Sequence, residues 1–600
     1  MIDYKKIGFK AGLEIHQQLS GRKLFCSCPA IIREDNPDII VHRMLRPSFG
    51  ESGIVDAAAL AEFRKQKVFV YQGYNENTCL VELDEEPVLQ PSSDAVETAV
   101  MVSRMLSMQL FSPVHVMRKV VVDGSNTSGF QRTMAIGFSG VITDSSGSVI
   151  RIDRLCLEED SARIVSRTQE SDTYNLSRLG IPLLEITTKP DIRSPNQLQE
   201  VAGQLGMILR STGRIKRGLG TIRQDVNVSI AQGSRVEIKG VQDFDLLPTI
   251  AHNEALRQLG LVALAAEYSQ HSFVLSSPVD VSQTFSSSST KWISSTLQNG
   301  TALAVVVSGA QGFFGRELYP GFRVGSELSG YVQASGFGGI IHTDEKPQKY
   351  GLSSWDELFS RTQASSQDAI LVLLGDAHRA SETFTEVVSS RLQEFCLGVP
   401  SCVRKAQGDG TTTYLRPMPG SARMYPETDV RSFSVSSIHV DIPELLTVRA
   451  KRLSQEFSIS EDVASLVCRS GRADIFEHWA KVLSASLVAD VLVVKEKEIR
   501  RRHSLELDVN AISEELFSRL ASGSLQSSAI EEVLVSFARD GIVLWESFAS
   551  LSEQEVKNIV SRIVSENADA PFGALMGLCM KELSGRADGK MVSSLIKELT

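Results

Sequence analysis

Hydrophobic and polar positions give this chain three successive textures. Over roughly the first 275 residues, apolar runs of strand length recur at 68–71, 114–122 and 226–230. Helical stretches lie between them. The clearest begins at Ser194-Pro195, a capping residue followed by proline at the first helical position. Leu198, Val201, Leu205, Ile208 and Leu209 then fall on one helical face. The pattern predicts an end near Ser211-Thr212-Gly213.

The texture changes at about 276. A serine-rich stretch, 282–295, would pass for a linker if Phe285 and Trp292 did not interrupt it. Glycine-rich turns and strand-sized runs such as 302–307 follow, so 276–405 reads as a separate α+β unit inserted into the chain. From about 441 the pattern is helical. Ser460-Glu461-Asp462 reads as a cap with acidic residues in the first turn. Ser513-Glu514-Glu515 reads as a similar cap ahead of Leu516, Phe517 and Leu520. The last hundred residues predict one or two small helical bundles.

At about 150 residues per domain, 600 residues suggest three to five units. With 42% hydrophobic and 22% charged residues the chain is globular, and no apolar run approaches a membrane span. The N-terminus lacks the apolar stretch of a signal peptide, which predicts a cytosolic protein. A net charge of −10 excludes a small basic nucleic-acid domain, but not a large enzyme with a local basic face. The eight cysteines form no regular framework and predict reduced, mostly buried thiols, with Cys156, Cys468 and Cys579 in apolar runs.

No phosphate-binding glycine loop, nucleophile elbow or H-E-x-x-H is present. Carboxylates and one histidine stand out instead. Gly12-Leu13-Glu14-Ile15-His16 reads as a strand that projects Glu14 and His16 from one face. Glu158-Glu159-Asp160 follows a strand-like run, and Glu185 interrupts the apolar run 181–186. Buried charge is costly unless paired or metal-bound, and magnesium prefers oxygen ligands. Arg223, Asp225 and Asn227 alternate on one strand face, which suits phosphate, ribose or metal-bound water; Glu237 and Lys239 repeat the pattern, and salt-bridged surface strands account for it equally well. Cys26, Cys28 and Cys79 offer three soft ligands, and His42 is a candidate fourth for zinc.

As a set, these segments resemble the GatB/GatE family of tRNA-dependent amidotransferases. The resemblance is carried by residues 12–19, 23–28, 43–58, 78–87 and 123–133. It continues in Leu157-Glu158-Glu159-Asp160, in 177–186 and in 416–429. Gly312-Phe313-Phe314-Gly315 and 336–342 resemble a domain shared with bacterial-type aspartyl-tRNA synthetases, and distinguish the GatE type from the GatB type. Residues 576–581 and 586–589 resemble the family's tail domain.

The resemblance implies an α/β and α+β multidomain protein. A mixed α/β catalytic cradle would occupy 1–275 plus 406–435. An inserted aspartyl-tRNA-synthetase-like domain follows at 276–405, a helical domain at 436–500 and a tail at 501–600. It implies that glutamate on tRNA(Gln) is activated by ATP as an acyl phosphate and then amidated by ammonia. His16, Glu158 and Glu185 are the implied magnesium ligands. Glu14 would be a neighbouring group, and Arg223 would face phosphate or the glutamyl carboxylate. Ammonia would be channelled from an asparaginase-like partner, GatD, in a heterodimer or a dimer of heterodimers. The relatives' zinc site is matched at Cys26 and Cys28, but Cys79 begins no C-x-x-C. Two alternatives are a GatB-type protein that also serves Asp-tRNA(Asn), and a tRNA-binding scaffold without catalysis. In the tail, Lys495, Lys497, Arg500, Arg501 and Arg502 form a candidate basic patch for tRNA.

Overall fold

The computed structural model describes residues 2–44, 67–121, 123–168, 170–418, 424–568, 570–583 and 585–600. Most of the 43–58 segment therefore lies outside the described residues, as do Val122 and 419–423 of the 416–429 segment. The chain is a mixed α/β, multidomain protein that divides into two compact units, Met1–Ile442 and Pro443–Thr600. No described helix is long and apolar enough to cross a membrane.

Among the described residues, the first unit is built on an eleven-stranded sheet. Its principal strands are β1 Lys10–Gln18, β2 Val116–Val120, β3 Phe130–Thr143, β4 Val149–Glu159, β5 Pro182–Thr188, β6 Ile222–Ser229, β7 Val236–Val241, β8 Cys402–Ala406, β9 Thr412–Pro417 and β10 Met424–Pro426. Across the sheet they run β9-β8-β7-β6-β1-β5-β4-β3-β2-β10, so β1 is central. All these pairings are antiparallel except β7 with β8.

Alternation along the strands separates two chemistries. Leu13, Ile15, Leu155, Leu157, Leu184, Ile186, Val226 and Val228 are buried. Helices α1 Ser93–Met105, α2 Pro195–Ser211 and α3 Leu247–Tyr268 pack against these strands. Each fully buried aliphatic side chain contributes about 1.5–3 kcal/mol. A one-residue slip would turn this whole set to the wrong face, so the apolar pattern fixes the register. That register in turn places Glu14, His16, Glu158, Glu185, Arg223 and Asp225 together on the opposite face. Helix α2 starts as its sequence dictates, with the Ser194 hydroxyl accepting from Gln197 N–H at 3.2 Å.

Between α3 and β8 the chain leaves this sheet and builds another, in the order Val279–Asp280, Thr301–Val307, Ala369–Gly375, Ile341–His342. Both faces of the second sheet are buried. Val305, Val307, Leu371 and Leu373 enter one core, and Ala302, Ala304, Ile370 and Val372 another. Phe285 and Ile293 of the serine-rich stretch are buried in the latter, which is why that stretch is ordered rather than a linker. The chain rejoins the main sheet at Cys402, rather than at 406. A buried ionic cluster ties the two parts together. Glu327 of helix Val324–Ala334 meets Arg257 of α3 at 2.9 Å and Arg404 of β8 at 2.9 Å, with Arg391 at 3.5 Å.

The described elements of the second unit are helices. One core runs from Ala450 to Leu534 and a second from Val556 to Ile596. The first is continuous through residue 500, where the sequence pattern suggested a division, because Ile499, Leu507, Val509 and Ile512 all enter it. Ser460 caps its helix as expected, accepting from Val463 N–H at 3.3 Å. Ser513 does not cap. Helix Val509–Ala521 begins one turn earlier, with the Asp508 carboxylate accepting from Asn510 N–H at 3.0 Å, and Ser513 is buried inside it.

Candidate active site

Strand β1 presents Glu14 and His16, flanked on one side by β5 and on the other by β6. His16 is paired with Glu185 across β5 and with Arg223 across β6, while Glu14 faces Asp225. Residues opposite one another on antiparallel strands share a face. The His16 Nε2 atom lies 3.3 Å from Glu14 Oε1 and 3.4 Å from Glu185 Oε2. Glu158 joins from β4, whose register sets it opposite Leu183. Its carboxylate accepts from the Thr133 hydroxyl at 2.6 Å and lies 3.6 Å from Lys119 Nζ.

Two overlapping groups of ligand atoms result. The donor atoms of His16, Glu158 and Glu185 lie within 4.8 Å of one another, and so do those of Glu14, His16 and Asp225. Two carboxylates and an imidazole at that spacing suit a hard divalent cation that retains water. The electrostatics reflect crowding. Burial and the neighbouring Glu185 push Glu14 up to about 7, against the opposing pull of His16 and Lys239. Burial and Glu185 also raise Glu158. Burial would raise Glu185, but its hydrogen bond and charge interaction with His16, with Lys119 and Arg154, hold it down to about 2. His16 is raised, because Glu185, Glu14 and Glu158 outweigh its burial.

Arg223 Nη2 donates to Asp160 Oδ1 at 2.9 Å. Asp160 also accepts from Gln18 Nε2 at 2.7 Å and from Ser161 N–H at 2.9 Å, with Arg178 Nε 3.7 Å away. This brace fixes Arg223 beside the carboxylates. On β6 and β7, Lys239 bridges Asp225 at 2.7 Å and Glu237 at 2.5 Å, so that pair of strands is salt-bridged. Asp160 and Asp225 belong to patterns read in the sequence, whereas Lys119 and Thr133 carry no site assignment there. Strand parity was the signal for Thr133, which sits opposite Glu158 on β3. Cys156, expected to be buried, is half-buried and lies opposite Glu185 on β5.

A second group brings Cys26, Cys28, Cys79 and Glu82 within 4.8 Å. The fourth position is thus Glu82, and His42 stands outside the group. Glu82 accepts from Cys26 Sγ at 2.9 Å and Cys79 N–H at 2.8 Å, with the fully buried Lys23 Nζ 3.6 Å away. Interaction with the neighbouring Cys26 thiol lowers Cys28 to about 7 and raises Cys26, while burial first, then Glu82, pushes Cys79 up to about 11.

In the second unit the basic patch is partly neutralised. Lys495 pairs with Glu498 at 2.9 Å, Arg500 with Glu506 at 2.5 Å and Arg502 with Glu531 at 3.2 Å. Lys497 and Arg501 are exposed.

Comparison with known proteins matches residues 9–441 to the GatB/GatE catalytic domain and residues 474–599 to the GatB domain. The chain is 41% identical to the E subunit of the glutamyl-tRNA(Gln) amidotransferase of Methanocaldococcus jannaschii, covering 100% of this chain and 99% of the relative. Identity to its counterpart in Methanococcus vannielii is 42%, over 98% and 97%. For that of Archaeoglobus fulgidus it is 40%, over 100% and 99%. With a family match across the catalytic fold and identity of this level from end to end, the chain belongs to the GatB/GatE family, among its GatE members.

Proposed function

We propose that this chain is the amide-forming component of a tRNA-dependent amidotransferase, converting glutamate carried on tRNA(Gln) into glutamine at the expense of ATP. The observation that carries the reading is the convergence of His16, Glu158 and Glu185 beside Arg223 on one sheet face. A carboxylate is a poor electrophile. A γ-carboxylate oxygen of the glutamyl group would attack the terminal phosphorus of ATP, releasing ADP and leaving an acyl phosphate. Ammonia would then bond to the acyl carbon as the carbon–oxygen bond to phosphate breaks.

His16, Glu158 and Glu185 would hold magnesium, with Glu14 and Asp225 flanking it. Bound there, magnesium neutralises phosphate charge and holds the reactants in line. Arg223, fixed by Asp160, would orient phosphate or the glutamyl carboxylate through charge-assisted hydrogen bonds. The ammonia would come from an asparaginase-like GatD partner through a protein channel, in the cytosol. The 276–405 segment would act as the synthetase-like RNA-facing domain, and the tail would hold tRNA away from the reacting end.

The cysteine group would hold a structural zinc. Three thiols and one carboxylate supply the four donors of a closed tetrahedral site.

Glu185→Gln tests the active site. Charged-tRNA-dependent ATP cleavage is expected to fall about a hundredfold or more, while the partner's own release of ammonia continues. Wild-type ATP cleavage by this variant would remove Glu185 from the cation site.

A further inference from the structure

The loop that leads into β6 has a construction that the chemistry above does not use. The loop itself, 212–221, contains no aspartate or glutamate but carries Arg214, which pairs with Glu97 at 3.2 Å, Lys216, whose Nζ donates to Ala30 O, and Arg217. At its tip, Leu219 is fully exposed between Gly218 and Gly220, whose φ values of 113° and 78° are left-handed. A leucine held out in this way gains nothing from folding, since its apolar surface stays in water.

The base of the loop is held firmly. The buried Gln17 amide donates to Lys216 O at 3.1 Å and Thr221 O at 3.2 Å, closing the loop from both sides. Lys216 N–H donates to Gln18 O at 2.9 Å and Gln18 N–H to Thr221 O at 2.9 Å. Ser20 N–H donates to Arg214 O at 3.0 Å. The residues bracing the loop, Gln17 and Gln18, directly follow His16 on β1. Leu219 lies four residues before Arg223, so its Cα is at most about 14 Å from the position opposite His16.

We infer that this loop seats the 3′-terminal nucleotide of the charged RNA, with Leu219 packed on the face of the last base. The inference rests on the reading that the site acts on an aminoacyl-tRNA. The reacting carboxylate is then tied covalently to the terminal ribose, so the last base must lie at the mouth of the site. A base offers an apolar face to an exposed side chain, and its phosphates favour a stretch free of acidic residues. The glycines on either side let the backbone reverse without side chains that would obstruct a base.

The test uses the full complex with its partner and tRNA(Gln) with or without its last nucleotide. For wild type, loss of the last nucleotide should weaken binding. Leu219→Ala should weaken binding of the intact RNA about fivefold and leave the shortened RNA unaffected. With charged tRNA, the loss should fall on KM rather than kcat, and Leu219→Phe should restore it. An equal loss on both RNAs, or no loss, overturns the inference. So does a variant that binds RNA normally but no longer holds the partner, which would make Leu219 a protein contact. A wild-type complex that shows no charged-tRNA-dependent ATP cleavage would instead bring down the functional reading, and this inference with it.

Discussion

Glu158 and Glu159 are adjacent in sequence and serve opposite sides of one strand. Glu158 joins His16 and Glu185, whereas Glu159 accepts from Arg132 N–H at 2.8 Å. Strand parity alone makes that assignment, and composition cannot. Glu82 is the opposite case, since nothing in Cys79-Leu80-Val81-Glu82 marks its carboxylate as the fourth member of a thiol group. Chain folding supplies it, through the turn that returns Glu82 to Cys79 N–H. Chain purified in metal-free buffer after growth with zinc should carry one zinc, measured by elemental analysis. Glu82→Ala should lose it and destabilise the fold by about 3 kcal/mol, because the buried Lys23 ammonium is left without its counter-charge. Glu82→Cys should retain the metal. Full zinc occupancy in Glu82→Ala would exclude Glu82 as a ligand.

Among the elements, strands with a strict alternation were legible, because burying one face and not the other writes a period of two into the sequence. β1 and β6 are examples. Helix starts were legible where the cap was local, as at Ser194 and Ser460, and misleading at Ser513, where serine and two glutamates sit inside a helix already begun at Asp508. The apolar run 491–494 shows a further limit. It has strand length but is helical, continuing the helix Ala485–Asp490. Short apolar runs carry no period to distinguish the two. Least legible was the ionic cluster around Glu327, whose members come from four separated elements. Burial would raise the Glu327 carboxyl, but Arg404, Arg257 and Arg391 hold it down to about 2, from an ordinary 4.5. A depressed carboxyl contributes stability that is fully present above its unfolded value and is lost as pH falls through the folded one. Between about pH 4.5 and 2, urea midpoints of the wild type should therefore drop more steeply than those of Glu327→Gln. At neutral pH that variant should also be less stable, by less than the cost of a fully orphaned buried charge, about 3–5 kcal/mol, since Arg257 and Arg404 keep Glu254 and Arg391 keeps Glu394. Parallel pH profiles would show that Glu327 does not carry this linkage.

At the scale of the whole molecule, the positions of the cores decide where the chain can be cut. Ending it near 500 would strip Leu507, Val509, Ile512, Leu516 and Phe517 from a core they share with Leu453 and Phe476, so that fragment should aggregate. Ending it at Ile442 keeps the first unit whole, and this fragment should fold, retain the carboxylate site and bind tRNA(Gln) more weakly, with a shallower salt dependence. Unchanged affinity across a salt series would remove the tail from RNA binding. The same argument from parts governs the nitrogen source. A glutaminase needs an activated nucleophile with a base and an oxyanion hole. Cys26, Cys28 and Cys79 are grouped around Glu82, while Cys402, Cys468 and Cys579 are buried. Burial raises the Cys396 thiol, away from the thiolate a nucleophile requires. Cys156 is pushed up as well, by burial and then by Glu185 and Glu158, which oppose a further negative charge beside them. Given ammonium, ATP, magnesium and Glu-tRNA(Gln), the chain alone is expected to form Gln-tRNA(Gln), since on the proposed function the activating and amide-forming steps would share its own site. Given glutamine in place of ammonium, it should form none until the partner is added. The comparison is read as labelled glutamine released from the tRNA after deacylation, and efficient product from glutamine with the single purified chain would overturn the division of labour.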